Sequence, residues 1–454
     1  MSVTTMQQNN SEIPKTNGTH SQEPMLEVLA SQVQENARIV SEFLRTSGHT
    51  APSFASDAPA TSLPPSAPPE IGAARQALMG AALQIFHLAA GPSEYLPHLA
   101  VGYQHIACLR WLTHFSIFKL VPRDSSISYP ALATAAGVSV KQLKTVARMA
   151  MTNHLFCEPE PNMVAHTATS MLIASDSSFY DWASFMCEAS VPMAAKLVEA
   201  TEKWTDSEEK TQTAYNVAFD TDLPFFDHLK TQPDKTRQFA SYMKNVQKSG
   251  GTGMHYLIEG FDWASLGKGT VVDVGGSSGA ASISLASAFP DLNFIVQDLP
   301  ENAADGQAFL ASPEQQEKLG KGVTSRIFFE GHDFFQPQPF QGADVYLLRM
   351  ILHDWPKKEA VKILQNILPA LKDSSRIIIM DTVLPQPGSI PSAQERLLRA
   401  RDMTMLEAFN SLERDLEDWK ELLHSVDERL TLKNVVQPIG SVMSVLEITL
   451  GGRT

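Results

Sequence analysis

The chain has 454 residues, 43% hydrophobic and 19% charged. That is a globular composition and more length than one compact core usually fills, so two folded units plus a tail are expected. A formal net charge of −14 argues against nucleic acid as the main partner, because phosphate binding needs a basic surface. Cys108, Cys157 and Cys187 lie far apart without a CxxC pair, which argues against a disulfide framework or a metal site and fits a reducing, cytoplasmic setting.

Residues 1–22 are polar, read as disordered, and carry no basic-then-apolar leader. Leu26, Leu29, Val33, Ala37, Val40 and Phe43/Leu44 then recur at spacings of three and four, an amphipathic helix. With no domain of its own, it is expected to cover the main body or a partner subunit. Residues 51–70, "APSFASDAPATSLPPSAPPE", read as an extended, unpacked linker. No apolar run is long enough to span a bilayer.

From Ile71 the pattern is helical. Residues 128–170 read as helix, a turn at Gly137, helix and short hairpin, a winged-helix pattern. Its second helix offers Lys141, Lys144 and Arg148, but in so acidic a chain the scaffold use of this fold is favoured over DNA binding. Residues 176–262 read as mostly helical. The resulting division is a tail, helix and linker over 1–70, a winged-helix unit over 71–210, and a catalytic unit over 211–454 whose first part, 211–262, bridges the two.

From Gly269 the pattern changes to α/β. The runs "TVVDVGG", "NFIVQDL", "RIFFEGHDFF", "ADVYLLRMI" and "RIIIMDTV" alternate with helices, which implies a parallel sheet. The last two runs, within "RLTLKNVVQPIGSVMSVLEITL", have no helix between them and read as an antiparallel hairpin added to the sheet.

In "VVDVGGSSG", Asp273 ends a strand and Gly275, Gly276 and Gly279 form a turn into a helix, the arrangement that lets a ligand approach the backbone. Ser277 stands where a dinucleotide fingerprint has its middle glycine. The turn therefore suits an adenosine ligand without pyrophosphate. Asp298 follows Asp273 by 25 positions (298 − 273), at the tip of the second strand, where a carboxylate meets ribose hydroxyls. Asp333 and Phe334 follow the third strand and suit an adenine amino group and ring. His353 follows the fourth strand and is the candidate base.

Taken in order, "VVDVGGSSG", "QDLP", "GHDFF", "LLRMILHDWP" and "SLERDLEDWKELL" resemble the class I S-adenosylmethionine-dependent O-methyltransferases of the plant caffeate/flavonoid type, and their fungal relatives in particular. The resemblance covers roughly residues 75–450. It implies a Rossmann-like seven-stranded sheet with a reversed C-terminal hairpin, and an N-terminal winged-helix region that forms a homodimer and does not bind DNA. It implies S-adenosylmethionine as cofactor, held by Gly275 and its neighbours, Asp298 with Leu299, Asp333 and Phe334. Arg349 stands where plant members have a cofactor-contacting lysine. His353 matches the general base, and Asp381 and Glu413 match its two flanking acids, Asp381 in place of a glutamate. Met243, Met403 and Met405 fall in acceptor-pocket segments. The implied substrate is a small aromatic phenol or enol, a polyketide in a fungal-type member. "NSL" before "ER" replaces glycines found in many relatives.

Overall fold

The computed structural model describes residues 24–248 and 251–451. The polar stretch 1–22 lies outside them. Seven strands form the main sheet: β1 (Thr270–Val274), β2 (Asn293–Asp298), β3 (Ile327–Gly331), β4 (Val345–Arg349), β5 (Arg376–Asp381), β6 (Leu430–Val436) and β7 (Ser444–Leu450). Their spatial order is β6-β7-β5-β4-β1-β2-β3. β1 to β5 pair in parallel, whereas β7 is antiparallel to both β5 and β6. The chain order reverses beside β1, and in such sheets the crevice at the strand C-termini there is where ligands bind.

Alternation along the strands explains why the sheet is covered on both faces. Val272, Val274, Tyr346, Leu348, Ile377 and Ile379 meet the helices Lys357–Ile367 and Leu416–Val426. Their neighbours Val271, Val345, Leu347, Ile378 and Met380 face the opposite layer, built by Met254–Glu259, Ala280–Ala288 and Pro300–Ala311. Ile363 and Leu364 are fully buried, so truncating either to alanine costs about 2–5 kcal/mol.

The winged-helix pattern is present. Helices Tyr129–Ala136 and Val140–Met151 are joined at Gly137 (φ 68°), and Ile127–Ser128 pairs antiparallel with Met163–Val164. Two of the cations that DNA would need are engaged within the unit. Arg148 pairs with Glu158 at 2.7 Å, and Lys144 donates to Asn162 at 2.5 Å.

Helix Met25–Thr46 packs through Val40 and Leu44 on Ala74 of helix Pro69–Ala90 and so covers part of the body that follows it. The reading of the linker is corrected. The Pro-rich stretch is docked, not free. Phe54 stacks on His154 at 3.7 Å and its carbonyl accepts from Ala168 N, and Arg75 Nε donates to Ser62 Oγ at 2.6 Å. Proline richness alone does not reveal such tertiary contacts.

Helix Pro69–Ala90 also touches the catalytic unit. A Cβ at Gly80 would lie 3.1 Å from Pro391 Cβ, where helix Ser392–Phe409 begins. Between the units, an aromatic cluster gathers Phe185, Tyr215, Phe225, Phe239, Tyr242 and Phe409.

Candidate active site

β1 delivers Asp273, only 2% exposed, and its Oδ2 accepts from Ser282 Oγ at 2.7 Å. The turn that follows requires glycine. Gly275 has φ +72°, and a Cβ there would lie 2.6 Å from Ile351 Cδ1. At Gly276 a Cβ would lie 2.7 Å from Asp273 Cγ. Gly279 opens the next helix with φ +75°.

Asp298, at the end of β2, accepts at Oδ1 from Leu299 N (2.8 Å) and Asn302 Nδ2 (2.7 Å), and at Oδ2 from Ser277 N (2.8 Å). A carboxylate has about four acceptor positions, so Oδ2 keeps one for a ribose hydroxyl. Asp333 folds its own turn through Phe335 N. Phe334 stands edge-on to Trp355 with ring centres 5.7 Å apart. Arg349, the last residue of β4, donates through Nη2 to Thr252 O at 2.6 Å, while its Nε is buried without a partner.

The chain leaves β4 through Met350, whose φ of +54° is unusual for a side-chain-bearing residue and strained. A short turn, Leu352–Asp354, follows. His353 is 8% exposed, and Asp381 and Glu413 are each 1% exposed. His353 Nδ1 lies 3.1 Å from Glu413 Oε1 and 3.6 Å from Asp381 Oδ1, and Nε2 lies 3.6 Å from Asp354 Oδ1. Asp381 is the last residue of β5. Glu413 is brought beside it because the next residues, Arg414–Asp415, pair in parallel with Val383–Leu384. Asp381 Oδ2 and Glu413 Oε2 are buried without partners. The donor atoms of His353, Asp381 and Glu413 lie within 4.8 Å of one another.

A family profile described as an O-methyltransferase domain matches residues 202–426. The chain is 50% identical over 430 residues to O-methyltransferase VdtC of Byssochlamys spectabilis, covering 94% of this chain and 98% of that protein. It is 49% identical over 431 residues to O-methyltransferase pgmB of Aspergillus terreus, covering 94% and 96%. The chain belongs to the O-methyltransferase family. Among solved structures, OxaC aligns over 94% of this chain and 100% of its own (TM-score 0.72, 21% identity). LepI in complex with S-adenosylmethionine aligns over 93% and 99% (TM-score 0.67, 23% identity). These two likenesses show the fold, and another structure of similar likeness is that of a pericyclic reaction enzyme. The fold alone therefore does not select the reaction.

In this O-methyltransferase the electrostatics centre on His353. Burial opposes a charged ring, but Asp381, then Asp354 and Glu413, outweigh it and lift the imidazole to about 10. Burial also raises Asp354 to about 6, against the pull of His353, and raises Asp381. Burial works to raise Glu413 too, but His353 wins and holds it low. Burial lifts Asp273 to about 6, with Ser282 and Arg349 opposing.

The structure gathers Gly275, Asp298, Asp333, Phe334, Arg349, His353, Asp381 and Glu413 around the strand ends. It does not treat the three methionines alike. Met405 is buried in the aromatic cluster and Met243 is half-buried on helix Pro233–Lys248, but Met403 is 42% exposed. Two residues apart on a helix point about 200° apart, so Met403 and Met405 cannot share one face.

Other residues were not singled out from the sequence. Arg414, 3% exposed, donates to the carbonyls of Leu352 (2.7 Å) and Trp355 (3.0 Å) and so fixes the His353 turn. Ser411 Oγ adds a bond to Trp355 O at 2.7 Å. Both adjoin Glu413 in "NSLERD", the signal that could have found them. Asn410 takes φ +51° and donates to the carbonyls of Glu209 and Gln212. Asparagine tolerates that left-handed conformation better than most side-chain-bearing residues.

Proposed function

We propose that the protein transfers a methyl group from S-adenosylmethionine to a phenolic or enolic hydroxyl of a small aromatic polyketide, with His353 as the general base. The observation that carries this reading is the His353–Glu413 contact at 3.1 Å, flanked by Asp381 and aimed from the end of β4. The chain's own residues suit the cofactor: the unpartnered Nε of Arg349, the remaining acceptor position of Asp298, and the backbone of the glycine turn. Gly275, Gly276, Asp298, Leu299, Asp333, Phe334 and Arg349 would hold it, with Asp273 behind the turn. The cofactor supplies an electrophilic methyl group on a positively charged sulfur.

The remaining work falls to the protein: alignment of the acceptor oxygen and removal of its proton. Glu413 accepts from Nδ1–H, which leaves Nε2 for the acceptor. His353, lifted to about 10, carries a proton in the resting site near neutral pH. It must lose that proton before it acts as a base. Asp354, raised to about 6 and with its side chain 26% exposed beside Nε2, is placed to pass it to solvent. A phenol ionises near 10, so ring and acceptor are matched, and the imidazolium formed is stabilised by Asp381 and Glu413.

The protein acts as a homodimer through its N-terminal unit, where Leu96, Leu99 and Tyr103 are 71%, 56% and 61% exposed at helical spacing on helix Tyr95–His114, an apolar row that a second copy would cover. Incubation with labelled S-adenosylmethionine and a panel of phenolic polyketides tests the reading. Label and mass gain in the acceptor support it. Product formed without demethylated cofactor would place the protein with the non-methylating members of the fold.

A further inference from the structure

Arg401 is a cation that the proposed mechanism does not use. It lies on helix Ser392–Phe409, one turn before Met405 and two turns before Phe409, both buried in the aromatic cluster. Residues four apart share a helix face, so Arg401 continues that face toward the catalytic centre. Its neighbour Asp402 accepts from Glu413 N at 3.0 Å, which ties this turn of the helix to the flanking acid of His353.

Three deeply placed groups feel the charge of Arg401: Glu413, Arg349 and Tyr242. Burial is the larger influence on each, and the charge of Arg401 is also exceeded by His353 at Glu413 and by Asp273 and Asp381 at Arg349. Arg401 itself is half-buried and makes no hydrogen bond or ion pair among the described residues. Glu413 gives Oε1 to His353 and Asp402 accepts from the backbone of Glu413, and neither forms an ion pair with Arg401. A partly buried guanidinium without an ion pair, in the field of a second guanidinium, is a place where an added anion is stabilised. Its planar fork suits a pair of anionic oxygens.

We propose that Arg401 is a specificity-determining contact for the acceptor, and that the preferred acceptor is an aromatic anion. The charge sits on a carboxylate or on the enolate of a 1,3-dicarbonyl, beside the hydroxyl that is methylated. The flat part of the acceptor lies along the Tyr242–Phe409 side of the helix, and its acidic group meets Arg401. The proposal rests on the methyl-transfer reading for its location, but its test can be read separately.

The test uses the full-length protein with S-adenosylmethionine and four probes: a dihydroxynaphthoic acid, its methyl ester, the matching dihydroxynaphthalene and a hydroxynaphthyl 1,3-diketone. The unaltered protein is expected to prefer the acid or the diketone over the ester and the naphthalene by at least tenfold in kcat/KM. Arg401→Met should raise KM for the charged probes more than tenfold, leave the neutral probes within about twofold, and leave kcat at saturation nearly unchanged. Arg401→Lys should recover part of the loss, and thermal melting should confirm that both variants fold.

Equal effects of Arg401→Met on charged and neutral probes would overturn the proposal. So would weakened binding of S-adenosylhomocysteine with an unchanged probe preference, which would assign Arg401 to the cofactor carboxylate. If no probe is methylated, binding decides. An acid-over-ester preference that depends on Arg401, measured by calorimetry with S-adenosylhomocysteine present, keeps this inference while the methyl-transfer reading fails. Absence of that preference sinks it.

Discussion

His353 Nδ1 and Glu413 Oε1 are 3.1 Å apart, although 60 positions separate them in the chain. The contact is held by two independent devices: the Arg414–Asp415 pairing with Val383–Leu384, and the two bonds from Arg414 to the His353 turn. In the proposed mechanism the carboxylate sets the tautomer of the ring and leaves Nε2 for the acceptor. The mechanism depends on that division of labour between the two ring nitrogens.

The two flanking acids are not equivalent, and exchange of each should separate their effects. Asp381 exerts the larger charge effect on His353, ahead of Glu413, but sits at 3.6 Å, beyond a good hydrogen bond. Asp381→Asn should move the pH midpoint of kcat/KM downward further than Glu413→Gln, whose amide oxygen can still accept from Nδ1–H. Equal shifts, or a larger shift for Glu413→Gln, would contradict this assignment.

The pH profile of the unaltered protein follows from the same charges. A base works only when unprotonated, and the ring lies near 10 instead of 6.5. Activity toward a neutral phenol should therefore rise with pH through the alkaline range, with a midpoint above about 8. A plateau reached near pH 6.5, the ordinary histidine value, would mean that the carboxylates do not hold the proton on the ring.

Methyl transfer from a sulfonium expels a neutral thioether, so no Lewis acid is needed to stabilise the leaving group. The donor atoms of His353, Asp381 and Glu413 are close enough to enclose a cation, yet the proposed mechanism calls on them as a proton-handling set. Dialysis against a strong chelator should leave kcat within about twofold. Loss of activity restored by a divalent ion would reassign these residues.

Gly275→Ala tests the cofactor turn. The added Cβ meets Ile351 Cδ1 at 2.6 Å from a backbone with φ +72°, a cost of about 1–3 kcal/mol. A lower melting temperature and at least a tenfold weaker affinity for S-adenosylhomocysteine are expected. Unchanged affinity would show that the turn does not approach the ligand.

Arg414→Met should lower kcat and leave cofactor affinity nearly intact. It removes one charge-assisted bond from each of the Leu352 and Trp355 carbonyls, which keep Trp355 N and Ser411 Oγ as partners, at about 1.5–3 kcal/mol each, on the turn that carries His353. A calorimetric comparison with S-adenosylhomocysteine checks the second half of that expectation.

The sheet, its reversed hairpin and the glycine turn were legible because each has a local signature: alternating burial, a missing helix between two apolar runs, and positive-φ positions. That His353, Asp381 and Glu413 come together was legible only through the ordered motif set, since residues 353, 381 and 413 meet through sheet topology and not through spacing. Two features were not legible. The Pro-rich stretch docks through Phe54 on His154, a contact between distant segments. Asn410 takes a left-handed backbone conformation at φ +51°, which composition does not reveal.

The most direct test is a single-turnover measurement on His353→Gln with saturating S-adenosylmethionine and a phenolic acceptor that the unaltered protein methylates. The account predicts methyl transfer slower by at least a hundredfold, with S-adenosylhomocysteine affinity within about threefold of the unaltered protein. Transfer at a near-normal rate, with the cofactor bound normally, would contradict the assignment of His353 as the base.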